Sequence, residues 1–508
     1  MRNQSTLAEN VVIIEPGSFH LRIGRAVEIL PKRFPHCIAR KPKPNVSPCV
    51  EPIINRQKAA CDSSSLQESI GIARSNLSNY RAILVINDVY KRNEIRYLVH
   101  LLLNRLKFGR VFVHQASVCA TYGIGLPTAC VINIGEQKTS VSCVEDGVAH
   151  TETRIILPVG RSDVLRVFHS LVLPNGFCNK EGCIVDLKYE YLSDVEDLRT
   201  LMENSVQCTI SLLCQENEKN KLDQEIQSKA NESLLNNDCY NITLQWTHKQ
   251  NQYDISSLHP STVLLSHILP FACISSCVPP KEIYCTYQVP SLQSSEPDDP
   301  FDDMYISLTA RERRKRGLPN EHQSTILPNN EQLEAEIDVT EQVAPVDKPL
   351  PQKPNSFESL PEAVWWSISQ CANLIGSQVG SEVIVQTSGL APGKPSQSSS
   401  SVSDELRRRL LGCIILTGGG VAGVNNQIME RWLTEQLIVI AREKQAATTV
   451  SSHIPTVEII HHSEPGDLSW SGARLLLTSD LMNDLWITPV EWNKFGSRAL
   501  REKAPFPW

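Results

Sequence analysis

At 508 residues the chain is too long for one small core and implies two or more large domains. Its 41% hydrophobic and 21% charged residues make an ordinary soluble balance, and a net charge of −7 excludes any global attraction to nucleic acid or anionic lipid, leaving only local patches for such contacts. The 16 cysteines include no C-x-x-C pair and no H-E-x-x-H occurs, so they read as buried thiols of a reducing compartment and not as a zinc site.

Met1–Ser5 leads into polar residues, so no signal peptide is expected. Val11–Ile14 is predicted as a strand ending in the turn Pro16-Gly17-Ser18, and His20–Gly24 alternates polar and apolar residues as its hairpin partner. Residues 41–75, rich in Pro, Ser and Asn, read as a loop. Ala82–Ile86 is a buried strand. Ile95, Leu98, Val99, Leu102, Leu103 and Leu106 share one face of a helix closed by Phe108-Gly109. Val111–Val113 returns as a strand, and Gln115 stands where it ends and the helix Ala116–Tyr122 begins. This order implies a parallel α/β layer.

Cys130–Ile134, the turn Gly135-Glu136-Gln137-Lys138 and the strand Ser140–Val144 repeat the opening layout, so one hairpin pattern occurs at 11–27 and again at 130–157. Val263–Val278 is too short for a membrane span and carries His267 and Pro270, which makes it a core segment. Stretches at about 215–240, 286–358 and 376–405 read as inserted surface loops. The second holds Arg311–Arg316, open to two readings: a nuclear-import or DNA-contacting patch, or a solvated run balanced by Asp298, Asp299, Asp302 and Asp303. A helix at 360–374, the strand Cys413–Leu416 and a helix through Ile428, Trp432 and Leu437 follow.

Three apolar strands thus run into glycine turns, at Gly17, Gly135 and Gly418-Gly419-Gly420. Such turns let main-chain N–H groups approach an anionic phosphate without a Cβ in the way. Together they suggest one nucleotide gripped from three sides. The rival reading makes the first two simple hairpin turns and the third a close strand–helix contact.

Ile13–Ser18 with Arg22-Ile23-Gly24 resembles the first phosphate loop of the actin superfamily, Val131–Thr139 the second, and Ile415–Gly420 the element beside the adenosine. Trp470–Ala473, Leu485–Ile487 and Glu491-Trp492 resemble the superfamily's C-terminal region. Val113–Gly123, Gly135–Val141 and Cys143–Val148 are most similar to a nuclear actin-related branch. The resemblance implies an α/β actin-like fold of two ribonuclease-H-type lobes around an interlobe nucleotide cleft. One lobe would comprise 10–128 with 467–508 and the other 129–466, and the short 41–75 region implies that the small subdomain is reduced or missing.

The resemblance also implies ATP, with Mg²⁺ beside it, held by Gly17, Ser18, Phe19, Arg22, Gly135, Glu136, Gln137, Lys138, Gly418, Gly419 and Gly420. Glu15 would reach the metal through water, and Gln115 matches a water-orienting glutamine. Asn133 and Ser140 replace groups used in hydrolysis, and Phe19 replaces a glycine, so weak turnover or none is expected. The implied role is a nuclear scaffold subunit of an INO-eighty-type chromatin-remodelling complex, acting in transcription, DNA repair and recombination. Its partners would be a motor protein, nuclear actin, other actin-related proteins, and nucleosomes, histones or linker DNA, with no membrane. The alternatives are a sugar-kinase-like phosphotransferase and a cytoskeletal actin relative.

Overall fold

The structure, a computed structural model, describes residues 9–35, 71–90, 92–172, 177–178, 184–185, 195, 197–205, 242–248, 251–258, 260–274, 357–386, 397–421, 425–446, 456–478, 482 and 484–506. The chain divides into two compact units, Met1–Leu292 with Phe357–Trp508, and Gln293–Ser356, the second lying outside the described residues. The stretch 215–240, Arg311–Arg316 and most of 41–75 also lie outside them.

Apolar runs of strand length organise the first sheet. Strands β1 (Val11–Pro16), β2 (His20–Arg25), β3 (Lys32–Pro35), β4 (Arg81–Ile86) and β5 (Arg110–Gln115) stand in the order β3-β2-β1-β4-β5. β1, β4 and β5 are parallel, while β2 and β3 run antiparallel. Ala82 through Ile86 are all buried, as a strand covered on both faces requires. Helix α1 (Arg92–His100) covers it with Ile95, Leu98 and Val99. It runs into a π turn at Leu101–Arg105. The widened turn rotates Leu101 into the core beside Leu102 and Leu103, a burial that the regular helical spacing does not predict.

Helix α2 (Ala116–Ile124) closes on Gly125 at φ +80°, a left-handed cap that favours glycine. The second sheet contains β6 (Ala129–Ile134), β7 (Thr139–Glu145), β8 (Val148–Ala149) and β9 (Ile155–Leu157). After helix α3 (Arg161–Val172) come two separate ribbons, β10 (Phe177–Cys178) with β11 (Ile184–Val185) and β12 (Ile242–His248) with β13 (Asn251–Leu258). The sheet is completed by β14 (Ile414–Thr417) and β15 (Ile459–Ile460), in the order β15-β14-β6-β7-β8 with β9 also on β7. Each sheet therefore joins an antiparallel hairpin to two parallel strands.

Helices α4 (Pro260–Ala272), α5 (Leu360–Gln386), α6 (Gln397–Leu411) and α7 (Asn425–Ala446) serve the second core, where Phe168, Val263, Leu360, Leu410 and Leu433 meet β6 and β14. Of the stretch read as an inserted loop at 376–405, residues 376–386 and 397–405 are helical instead. The core contacts of Leu406, Leu410 and Leu411 carry α6 backward through a run of serines with weak helix propensity. Among the described residues no helix is long and apolar enough to cross a membrane.

The C-terminal segment returns to the first sheet through α8 (Leu468–Leu475), α9 (Pro489–Phe495) and α10 (Arg498–Lys503). Ile487 exchanges two backbone hydrogen bonds with Val111, at 2.8 and 2.9 Å. The Trp470 indole N–H donates to the Ile13 carbonyl at 3.3 Å. Ile487, Trp492, Leu500 and Phe506 share one core with β1, β4 and α1.

Candidate nucleotide site

The two hairpins are built alike. β1 and β2 pair as far as Pro16 with Leu21, and β6 and β7 as far as Ile134 with Thr139. Each turn is closed by its glycine: the Gly17 N–H donates to the His20 carbonyl at 2.9 Å, and the Gly135 N–H donates to the Lys138 carbonyl at 2.9 Å. These two N–H groups are thus used within the turns, and Ser18-Phe19 and Glu136-Gln137 form the tips. Both tips line one cleft, which encloses about 1230 Å³ including its open mouth.

The third glycine element lies beside β6. Gly418 has φ +100°, and a Cβ on it would stand 2.4 Å from both the Asn133 amide oxygen and the Ile134 carbonyl. Close packing therefore demands this glycine whatever the cleft holds. Gly419 differs, since a Cβ there would meet only the Arg22 guanidinium, at 3.5 Å.

Ion pairs anchor Arg22 and Glu15, which stand on the cleft wall. Arg22 Nη1 lies 3.4 Å from Glu15 Oε1, and Arg22 Nε donates to Asp467 Oδ1 at 3.0 Å. Arg33 donates to the other Asp467 oxygen at 2.5 Å. Burial pushes the Glu15 carboxyl up, against the pull of Arg22. Burial, aided by Arg22, lowers His20 to about 4, so that ring is neutral near pH 7. Burial also lowers the Lys138 ammonium, with Glu94 and Asp88 opposing. Arg199, from the helical residues 197–205, pairs with Glu136, its Nη1 3.2 Å from Oε2, and its guanidinium carbon sits 4.1 Å from the Phe19 ring centre.

Glu15, Gly17, Ser18, Phe19, Arg22, Gly135, Glu136, Gln137, Lys138, Gly418 and Gly419 all line the cleft, joined by Glu94, Asn133, Ser140 and Arg161. Gly420 is not on its wall: its N–H donates to the Ile134 carbonyl at 2.8 Å, and a Cβ would strike the Ile134 side chain at 2.5 Å. Its glycine serves strand packing. Gln115 is also off the wall, at 0% exposure under the first turn of α2, and neither amide atom has a hydrogen-bond partner among the described residues. No group of three or more His, Cys, Asp or Glu suited to a metal occurs among the described residues. Arg199 and Asp467 escaped the reading of the sequence because no local motif marks either. Their partners lie 63 residues away at Glu136 and 445 away at Arg22.

Two lobes of mixed sheet around a cleft fed by paired hairpins define an α/β protein of the actin fold. Over most of its length the chain is similar to proteins named Actin-related protein 8. The Aedes aegypti protein of that name is 29% identical over 453 residues, 87% of this chain and 68% of that protein. Those of Danio rerio and Homo sapiens are 27% and 26% identical, covering 87% and 88% of this chain and 66% of each relative. The chain thus spans about two thirds of the length of the curated relatives it matches. The solved structure "Human actin-related protein Arp8 in its ATP-bound state" aligns with a TM-score of 0.58 at 20% identity, covering 99% of this chain and 97% of that one. No family model matches the chain.

Proposed function

We propose that the protein binds ATP between its two hairpin tips without appreciable hydrolysis, and works as a nuclear scaffold subunit of an INO-eighty-type chromatin-remodelling complex. The observation that carries the nucleotide reading is the pair of matching glycine-closed hairpins on one cleft. The ATP-bound state of the human structural neighbour supports it.

The residues present fit a triphosphate. Ser18, Phe19, Glu136 and Gln137 offer main-chain N–H groups at the tips, and Arg22, Lys138 and Arg161 bring positive charge to the wall. Gly419 has room for close approach. A bound Mg²⁺ would offset phosphate charge, and Glu15 is the acid placed to hold its waters.

The hydrolytic side is weak. Gln115 is fully buried and is not on the cleft wall, and Asn133 and Ser140 carry no charge where phosphoryl transfer needs a metal-balancing acid or an activating base. These features disfavour a sugar-kinase-like phosphotransferase. As a scaffold, the protein would meet a motor protein, nuclear actin, other actin-related proteins, and nucleosomes or linker DNA, and act in transcription, repair and recombination.

Equilibrium ATP binding and steady-state turnover on the purified chain test the site. Saturable binding with turnover far below about 1–100 s⁻¹, the range of ordinary kinases, is expected. No binding, or turnover inside that range, overturns it. Tagged protein recovered from nuclear extract tests the scaffold: a remodelling motor with actin-type subunits is expected, and recovery without them overturns it.

A further inference from the structure

The cleft wall carries three acids, Glu15, Glu94 and Glu136, against three bases, Arg22, Lys138 and Arg161. A balanced wall is a poor home for a polyanion unless some of the acids are silenced. Arg22 offsets Glu15, its Nη1 3.4 Å from Oε1. Glu136 stands at the tip of the second hairpin, where phosphate is expected, and it is the acid whose charge most opposes that ligand.

The structure assigns Arg199 to silencing it. Both terminal nitrogens of Arg199 engage the two Glu136 oxygens, in a pair only 12–13% exposed. Its side chain stands over Phe19, on the tip of the opposite hairpin. One guanidinium thus masks the acid of one tip and rests on the aromatic ring of the other. Such a stacked, two-pronged arrangement suits arginine better than lysine. Arg199 is therefore a positioning residue for an anionic ligand: it does not line the cleft, but it sets the charge and spacing of the two tips that do. This inference rests on the nucleotide reading above.

ATP binding to the full-length protein, measured by titration calorimetry, tests it in the wild type and three variants. Arg199→Ala uncovers Glu136 and is expected to weaken binding about tenfold, the effect of roughly one unscreened nearby charge. Arg199→Lys keeps the charge and loses part of that factor. The decisive variant is Arg199→Ala with Glu136→Gln, which removes the uncovered charge and regains most of the affinity. A merely structural role for Arg199 predicts that this double variant binds as weakly as Arg199→Ala. That result, or unchanged binding by Arg199→Ala while the wild type binds, overturns the inference and leaves the nucleotide reading intact. A wild type that binds no ATP overturns both. Thermal unfolding without nucleotide accompanies each variant. If Arg199→Ala fails to fold, the comparison of Glu136→Gln with Phe19→Ala decides. Tighter binding by the first and weaker by the second supports the inference, and any other pattern overturns it.

Discussion

Gly472 lies so close to Cys119 that a Cβ on the glycine would stand 1.6 Å from the cysteine's carbonyl oxygen. Gly123 answers from the other helix, since a Cβ there would meet the Leu468 carbonyl at 2.9 Å. Helices α2 and α8 thus touch backbone to backbone at the place where the chain leaves the first sheet and later returns to it. Gly472→Ala forces the helices apart and is expected to cost more than about 3 kcal/mol. Gly412→Ala, whose Cβ would meet nothing nearer than 3.5 Å, is expected to stay within about 0.5 kcal/mol of the wild type. Urea unfolding midpoints compare the two.

Asp467 is 1% exposed and accepts from both Arg22 and Arg33. Asp467→Asn keeps an acceptor oxygen but removes the charge, which leaves the buried Arg22 only the more distant Glu15 as a carboxylate partner among the described residues. Removing one partner of a buried pair costs about 3–5 kcal/mol. Arg33 is 43% exposed on its side chain, so Arg33→Ala should cost about 1 kcal/mol or less. Thermal unfolding of both variants checks the ratio, and equal losses would contradict it.

His114 accepts the Gln115 backbone N–H at 2.8 Å in a buried site, and burial lowers its pKa from 6.5 to about 4. Between those values the unfolded chain binds the proton and the folded chain does not. Stability therefore falls as pH drops from 6.5 toward 4. His20 acts in the same direction, also at about 4. His114→Gln should flatten the slope of unfolding free energy against pH in that window, and an unchanged slope would refute the assignment.

Thr488 and Glu491 cap α9 reciprocally, and Lys503 holds the Glu491 carboxylate at 2.7 Å. The Lys503 contact, then the Thr488 backbone, lower Glu491 from 4.5 to about 2. Its contribution is complete above pH 4.5 and is lost as pH falls through about 2. Glu491→Ala is expected to cost about 1 kcal/mol at pH 7 and nothing near pH 2. Denaturant titrations at the two pH values check this.

Much of the fold was legible because its signals are local. The strand at 82–86, the helix face of Ile95, Leu98 and Val99, and both hairpins follow from apolar spacing and a turn glycine within a few residues. The serine-rich start of α6 misled for the same reason: its helix is held by Leu406, Leu410 and Leu411 further along, not by its own residues. The site was half legible. The turn residues carry local marks and line one cleft, whereas Gly420 and Gln115 carry similar marks and are not on its wall.

From its order of residues alone, the chain determined which segments pair into hairpins and where a glycine must sit, because backbone sterics and apolar alternation act over a few neighbours. Only the tertiary structure decided that Arg199 would neutralise Glu136 and that Asp467 would anchor Arg22. Charges separated by tens or hundreds of residues attract only once packing has brought them within a few ångströms and stripped away the water between them.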